Sequence, residues 1–550
     1  MSVLGLRYFT ALLLILYLSS CSLFQKPIAA VTGDPLATEA ATKILKQGGT
    51  AADAFITAVL VLTNVEPQAS GLGGGFFAIY YDAKAKRTYA LDAREEQPRN
   101  LSQDIFWDYS RGKPKLGWFT SGASIGVPGV ADGMAVLHKH FGKLGRDEIV
   151  QPALAIAENG FEVTEYFYML LQKYSDLHPW GDYQIGDQFI NKDYAGTLKL
   201  LAVNGFEAFY NGALAEAIVQ LGQEGKMPSA MDIDDLKNYR AVFRQPQIYN
   251  YGQYQIVSIG SPSSGSSTLY RIFDLVFAGI DEYKAIDASY KIRNTSFGDE
   301  DFTESECRVK EDAFENLSEL DSFTSSVSEE QGDFASELHE EKGTTHIAIT
   351  DRYGNAISGT VTIQSAFGSG RLLPGYGFLL NNELSDFDPK RGKCNSIQSW
   401  RRLRAGAIGL TSDGQEANKT YGAKRPRSSM TPMIVFEAQA EREIDSLEAE
   451  PDETNAGISS LSKPVMILGA SGGWTIINSV YQVFTNIIDS DMNLEAAIQA
   501  PRVFIKGDGK LYDESELSFP TAVNGIVING NDLSAYADKR KNGSAQVDLF

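Results

Sequence analysis

Between Gly298 and Gly343 the chain carries sixteen Asp or Glu residues against three Lys or Arg, and this run ends directly at Thr344. Such charge bias with few aromatics predicts a solvated, mobile segment. The residues after it have the opposite character. Thr344 to Thr350 has the composition of a strand, Asp351-Arg-Tyr-Gly-Asn355 that of a turn, and Ala356 to Thr362 that of a second strand. The sequence therefore predicts a hairpin whose first residue follows a flexible linker.

Around that junction lies enough apolar material for a large core. The 550 residues are 43% hydrophobic and 11% aromatic, which excludes wholesale disorder. Asp34-Pro35 is a helix start, with Asp as N-cap and Pro at the first helical position. Thr50 caps a second helix, apolar nearly all round and so buried, running to about Asn64. Gly71-Leu-Gly-Gly-Gly75 predicts close backbone packing or a turn that side chains would block. Phe76–Asp82 and Thr88–Ala93 form a predicted hairpin, with Arg94 at its end. One helical stretch is predicted from about Val130 to Asn159, a loop at Ser261–Ser267, an insertion or lid at Lys390–Lys424, and a short buried strand at Val465–Leu468 leading into Gly469-Ala-Ser-Gly-Gly473.

Met1 to Ser20 carry Arg7 and then the apolar run Ala11–Leu18, too short to span a bilayer comfortably and shaped like a signal h-region. Leu18-Ser-Ser-Cys21 comes at once after it and resembles a bacterial lipobox. The expectation is an exported, periplasmic protein, lipidated at Cys21 and anchored to the outer membrane, with Ser22 compatible with that destination. No other stretch predicts a transmembrane helix. Cys307 and Cys394 remain; an oxidising compartment permits a bridge, but their separation does not establish one, and none is expected.

Composition also excludes function classes. A net charge of −21 disfavours nucleic acid. The five histidines form no HExxH or other close ligand set, so a metal site is not expected. No GxGxxG after a strand and no GxxxxGK[ST] provides a seat for a nucleotide. No cofactor is expected.

Several motifs then fall in one order: Pro67-Gln68 with Gly71–Gly75, Asp92-Ala-Arg94-Glu95, Gly126-Val-Pro-Gly129, Pro262-Ser-Ser-Gly265, Gly343-Thr344-Thr345-His346, Asn381-Asn-Glu383-Leu-Ser-Asp386-Phe387, Lys424-Arg-Pro-Arg-Ser428-Ser429-Met430-Thr-Pro432, Gly469–Gly473 and Ala500-Pro-Arg502. This order resembles the γ-glutamyltransferase (glutathione hydrolase) family over roughly residues 30 to 550. The resemblance implies an α/β fold, the N-terminal-nucleophile hydrolase four-layer αββα sandwich. It implies a precursor cut between Gly343 and Thr344 into a large subunit (21–343, with the acidic linker at about 298–343) and a small subunit (344–550), which stay together as a heterodimer.

The chemistry suits a histidine-poor chain. Cleavage before Thr344 would give it a free α-amine, whose pKa near ~8 leaves a useful fraction neutral as a base for the hydroxyl. By resemblance, the Thr362 hydroxyl holds that amine. Arg94 grips the α-carboxylate of a γ-glutamyl group, for which a planar guanidinium is suited, and Ser428 and Ser429 add hydroxyl donors. Glu383 and Asp386 take the substrate ammonium, Gln364 adds an amide, and Gly472 and Gly473 supply the oxyanion hole. Thr344 could equally open a strand, Thr362 be a β-propensity residue, Arg94 pair with Glu95 or Glu96, and Glu383 and Asp386 cap a turn.

The chain departs from the family's pattern in places. Gln364 stands where the family most often has Asn, the stretch Ile286–Phe302 matches only loosely, Lys390–Lys424 is longer, and the region after Arg502 is shorter. The resemblance implies cleavage of γ-glutamyl compounds such as glutathione, with transfer to water or to amino-acid or peptide acceptors. Alternatives are an acylase or a poly-γ-glutamate transpeptidase of the same fold, or a non-catalytic lipid-anchored binding protein.

Overall fold

The computed structural model describes residues 26–302 (179 excepted), 342–398, 421–438 and 462–549 (518 excepted), with strand pieces at 401–402, 408–410, 416–418 and 457–459. The predicted signal segment 1–20, Cys21, Cys307, most of the acidic linker and much of the predicted lid lie outside the described residues.

Two antiparallel sheets carry the fold. In the first, the order from one edge is Ile458–Ser459, β3 (Arg87–Ala93), β2 (Gly75–Asp82), β7 (Ala356–Ser365), β6 (Lys342–Thr350), β1 (Ile28–Thr32) and β12 (Ser544–Asp548). In the second it is β11 (Asp532–Ala537), β10 (Ala522–Asn529), β9 (Pro464–Ser471), β8 (Met433–Glu437), β5 (Tyr254–Ile259) and β4 (Pro246–Tyr251). The sheets pack face to face. Alternation along the strands decides which residues meet there, with Phe77, Ile79 and Ala348 from one sheet against Ile434, Phe436 and Ile467 from the other in a common buried cluster.

Helices α1 (Pro35–Lys46), α2 (Ala51–Val65), α3 (Val130–Phe141) and α4 (Arg146–Asn159) cover the outer face of the first sheet, where Ile44, Phe55, Leu62 and Met134 share a core with Phe76 and Ile347. Helices α5 (Gly265–Phe277) and α7 (Thr475–Ile488) cover the second, through Leu269, Phe273, Val480 and Phe484, with α6 (Glu282–Ser296) beside them. The result is the expected four-layer αββα sandwich.

Local signals place the helices. The Asp34 side chain accepts from the Leu36 amide at 2.8 Å, and Thr50 forms a reciprocal capping box with Asp53. Every residue of α2 is buried. The single helix expected over Val130–Asn159 is two. Asp53 accepts from the amides of Lys143 and Leu144, fixing a turn at Gly142–Gly145 between α3 and α4. The loop expected over Ser261–Ser267 is only half loop, because α5 starts at Gly265 after the cis Ser261–Pro262 bond. The strand expected at Val465–Leu468 extends to Pro464–Ser471.

The glycine-rich turn exists for close approach. A Cβ on Gly73 would lie 2.1 Å from the Leu379 carbonyl oxygen, and one on Gly74 would lie 2.0 Å from that of Thr362. The turn thus packs its bare backbone against β7 and against the segment leading to Glu383. Among the described residues, no helix is long and apolar enough to cross a membrane.

Candidate active site

Thr344 and Thr362 are opposed on β6 and β7, the two central strands of the first sheet. The register shifts between Gly343 and Thr344, since Gly343 pairs with Gln364 and Thr344 with Thr362. This bulge leaves Ile363 of β7 without a partner on β6, opposite the expected scissile bond. Gln364 takes φ +79, a costly conformation for a residue with a Cβ.

The Thr362 hydroxyl is the hub of this bulge. It donates to the Gly343 carbonyl at 2.6 Å, accepts from the Gln364 amide at 2.9 Å, and lies 3.2 Å from the Thr344 hydroxyl. The geometry therefore puts a donor on the Gly343 carbonyl oxygen and a second hydroxyl beside it.

Arg94 reaches the same place from the end of β3. Its backbone amide is held by Asp92, whose carboxylate also pairs with the buried Arg425 at 2.5 Å. Arg425 in turn grips Glu96 at 2.9 Å, tying the 92–96 segment to the strip that carries Ser428 and Ser429. Ser428 is fixed by backbone bonds to Pro262 and Ser264, and the Ser429 hydroxyl accepts from Arg293 at 2.6 Å. The turn of Glu383–Asp386 packs on a small cluster of Phe106, Trp118, Phe119 and Phe387. Asn395 donates to the Asp386 carbonyl and accepts from the Arg427 amide, so the start of the expected lid region braces the site.

By the sequence expectation Arg94 pairs with the carboxylate of an amino-acid head group and the two nearby acids pair with its ammonium. Instead the Arg94 guanidinium pairs with Glu383 at 2.5 Å and Asp386 at 2.8 Å, and also donates to the Pro426 and Arg427 carbonyls. Arg94 is 1% exposed, so the alternative of a surface pair with Glu95 or Glu96 does not hold. Three carboxyls crowd one cation: burial pushes Glu383 and Glu95 upward, against the pull of Arg94. Gln364 joins the cluster, its amide donating to Asp386 at 2.9 Å.

Nine of the expected residues line one cleft: Thr344, Thr362, Gln364, Arg94, Glu383, Asp386, Ser428, Ser429 and Gly473. Gly472 is not on the lining; at φ +128 it forms the turn into α7, where its carbonyl accepts from the Thr475 hydroxyl. Gly473, at φ +61, presents bare backbone to the cleft. Sequence reasoning missed Arg293, Arg427, Met430, Trp474 and Ile476, which complete the walls. Arg427 directly precedes the two expected serines, and that adjacency is the signal that could have found it. Met430 directly follows Ser429 and Trp474 directly follows Gly473 in the same way, while nothing in the local pattern of Arg293 or Ile476 distinguishes them from core or surface residues.

His346, two residues along β6, is wholly buried and burial pushes it down to about 3. Its Nδ1 bonds Thr360 at 2.8 Å, so it packs between the sheets and is not a base for Thr344. No cluster of metal-ligating side chains occurs among the described residues. Cys394 is disulfide-bonded, contrary to the expectation of no bridge; the other two cysteines lie outside the described residues.

The family model for γ-glutamyltranspeptidase matches residues 37–444 and 458–547. The chain belongs to the γ-glutamyltranspeptidase family. The glutathione hydrolase proenzyme of Bacillus subtilis (strain 168) is 30% identical over 518 residues, covering 86% of this chain and 80% of that protein. The capsule biosynthesis protein CapD proenzyme of Bacillus anthracis is 32% identical over 425 residues, 73% of this chain and 72% of that protein. The crystal structure of cephalosporin acylase from Bacillus halodurans superposes with a TM-score of 0.71 at 20% identity, over 95% of this chain and 96% of that one, which is a likeness of fold. As a member of the γ-glutamyltranspeptidase family the chain is an enzyme, and the cleft at Thr344 is its candidate active site.

Proposed function

We propose that this γ-glutamyltranspeptidase family member cuts itself before Thr344 and then hydrolyses or transfers γ-glutamyl groups, as from glutathione, through an ester on Thr344. The observation that carries the reading is the bulge, where the Thr344 hydroxyl, the Gly343 carbonyl and the Thr362 hydroxyl converge.

In the precursor, Thr344 Oγ1 attacks the Gly343 carbonyl carbon while the Thr362 hydroxyl stabilises the developing oxyanion. The peptide bond breaks to an ester on Oγ1, the amine takes a proton, and water then releases the Gly343 carboxylate. The new α-amine is the base for turnover. It takes the Oγ1 proton as Oγ1 attacks the γ-carbonyl, and the leaving amine departs with that proton. Water or an acceptor amine then cleaves the ester. Gly473 supplies backbone to the oxyanion. The Arg94–Glu383–Asp386 cluster, with Ser428 and Ser429, offers both signs of charge to an amino-acid head group, which favours a γ-glutamyl donor over a plain acyl chain.

Release of nitroaniline from a γ-glutamyl anilide tests the reading. Turnover by wild type and its loss in Thr344→Ala support it; activity confined to other amides overturns it. Export and lipid anchoring belong to the same proposal, supported by the Ala11–Leu18 run and Leu18-Ser-Ser-Cys21. Metabolic labelling with palmitate, present in wild type and absent in Cys21→Ala, checks that part.

A further inference from the structure

Strand β6 loses its neighbour on one side before it reaches Thr344. β1 pairs with it only from Ala29 opposite Thr350 to Val31 opposite Ala348. Beyond that point, side chains from the C-terminal segment take the carbonyls on the same edge. Asn524 Nδ2 donates to the His346 carbonyl at 2.7 Å, and Lys541 Nζ donates to the Thr344 carbonyl at 3.3 Å. The N–H and C=O of one residue in an extended strand point to the same edge. An amine freed on Thr344 therefore emerges on the edge where the Lys541 ammonium is fixed.

We propose that Lys541 is a positioning residue for the nucleophile, standing in for the missing strand at the Thr344 carbonyl and, as a fixed cation, keeping the freed amine in its neutral, proton-accepting form. This rests on the reading of Thr344 as an N-terminal nucleophile. A like charge disfavours protonation of its neighbour, and the base of this reaction works only unprotonated.

Other charged groups face the same residue. At the end of α2, Glu66 accepts from the Thr345 hydroxyl and feels Lys541; burial pushes it up to about 7, so it is half-ionised near neutral pH and offsets part of the Lys541 charge as pH rises. Asp34, ahead of α1, is raised to about 6 by burial and bonded to Asn542. On β6 itself His346 is neutral. From the cleft, Arg94 is balanced by Glu383 and Asp386, while Arg293 and Arg427 also line its walls. Lys541 is the cation bonded to Thr344 itself.

The test is the pH profile of kcat for a γ-glutamyl anilide in wild type, Lys541→Gln and Lys541→Arg. Gln can keep the hydrogen bond without the charge, and Arg keeps both. The acidic limb is expected to move up by about half a unit to one unit in the Gln variant and to return in the Arg variant. Coincident profiles, or equal shifts in both variants, overturn the proposal while leaving the nucleophile reading intact. A wild type that never cleaves or turns over overturns both. If the Gln variant does not fold, the wild-type amine is titrated directly by NMR of ¹⁵N-threonine-labelled enzyme. A pKa below the ~8 of an ordinary α-amine supports the proposal, and one at or above it overturns it.

Discussion

Thr344 and Thr362 face each other across the central strands of the first sheet with their hydroxyl oxygens 3.2 Å apart, and the Thr362 hydroxyl also donates to the Gly343 carbonyl. One side chain thus touches both the Gly343 carbonyl and the hydroxyl proposed to attack it. Thr362→Val, which keeps the shape and removes the donor, is expected to slow self-cleavage by on the order of 10²-fold, while Thr362→Ser retains most of it. The appearance of the two fragments over time, followed by gel electrophoresis of freshly refolded protein, measures this.

The Arg94 cluster makes a second prediction. Arg94→Met strands Glu383 and Asp386, one of them 0% exposed. Removing one partner of a buried ion pair costs about 3–5 kcal/mol, and urea denaturation of the Thr344→Ala precursor carrying the change reads this loss. The double change Arg94→Met with Glu383→Gln is expected to recover part of it, because the amide removes one of the buried carboxyls left without its cation.

Stability should depend on pH in two opposite windows. His346 titrates at about 3 when folded and near ~6.5 when unfolded, so its contribution is fully present above about 6.5 and is lost as pH falls toward 3. Glu66 is raised to about 7 from ~4.3, so its contribution is present below about 4 and is lost as pH rises through 7. Denaturation midpoints measured from pH 4 to pH 9 should therefore show a shallower alkaline decline in Glu66→Gln and a shallower acidic decline in His346→Asn.

Gly74 offers a packing test. An added methyl would meet the Thr362 carbonyl oxygen at 2.0 Å, so β7 must shift. Gly74→Ala is expected to destabilise the precursor by about 1–3 kcal/mol and to slow cleavage as well, since the displaced backbone carries the Thr362 hydroxyl. Unfolding and fragment appearance, measured on the same preparation, check both.

Much of this was legible in the sequence because it depends on local chemistry. Asp34-Pro35 and Thr50 cap helices wherever they occur. The glycines at 71–75 announce a close approach, and Thr344–Thr362 announce a hairpin. What escaped depends on long-range approach. The break at Gly142–Gly145 is fixed by Asp53, some ninety residues earlier in the chain. The pairing of Arg94 with Glu383 and Asp386, and of Lys541 with Thr344, joins segments about two or three hundred residues apart. Composition carries no record of which charged residues will meet, so Arg94 and the two acids are legible as nearby charges of a head-group site but not as partners of one another.

The central claim is that Thr344 becomes an N-terminus. Intact mass and N-terminal sequencing of purified wild type beside Thr344→Ala test it most directly. The account predicts two wild-type fragments, one of them beginning at Thr344, and a mutant that stays whole. A wild-type chain that folds and remains uncut between Gly343 and Thr344 contradicts it.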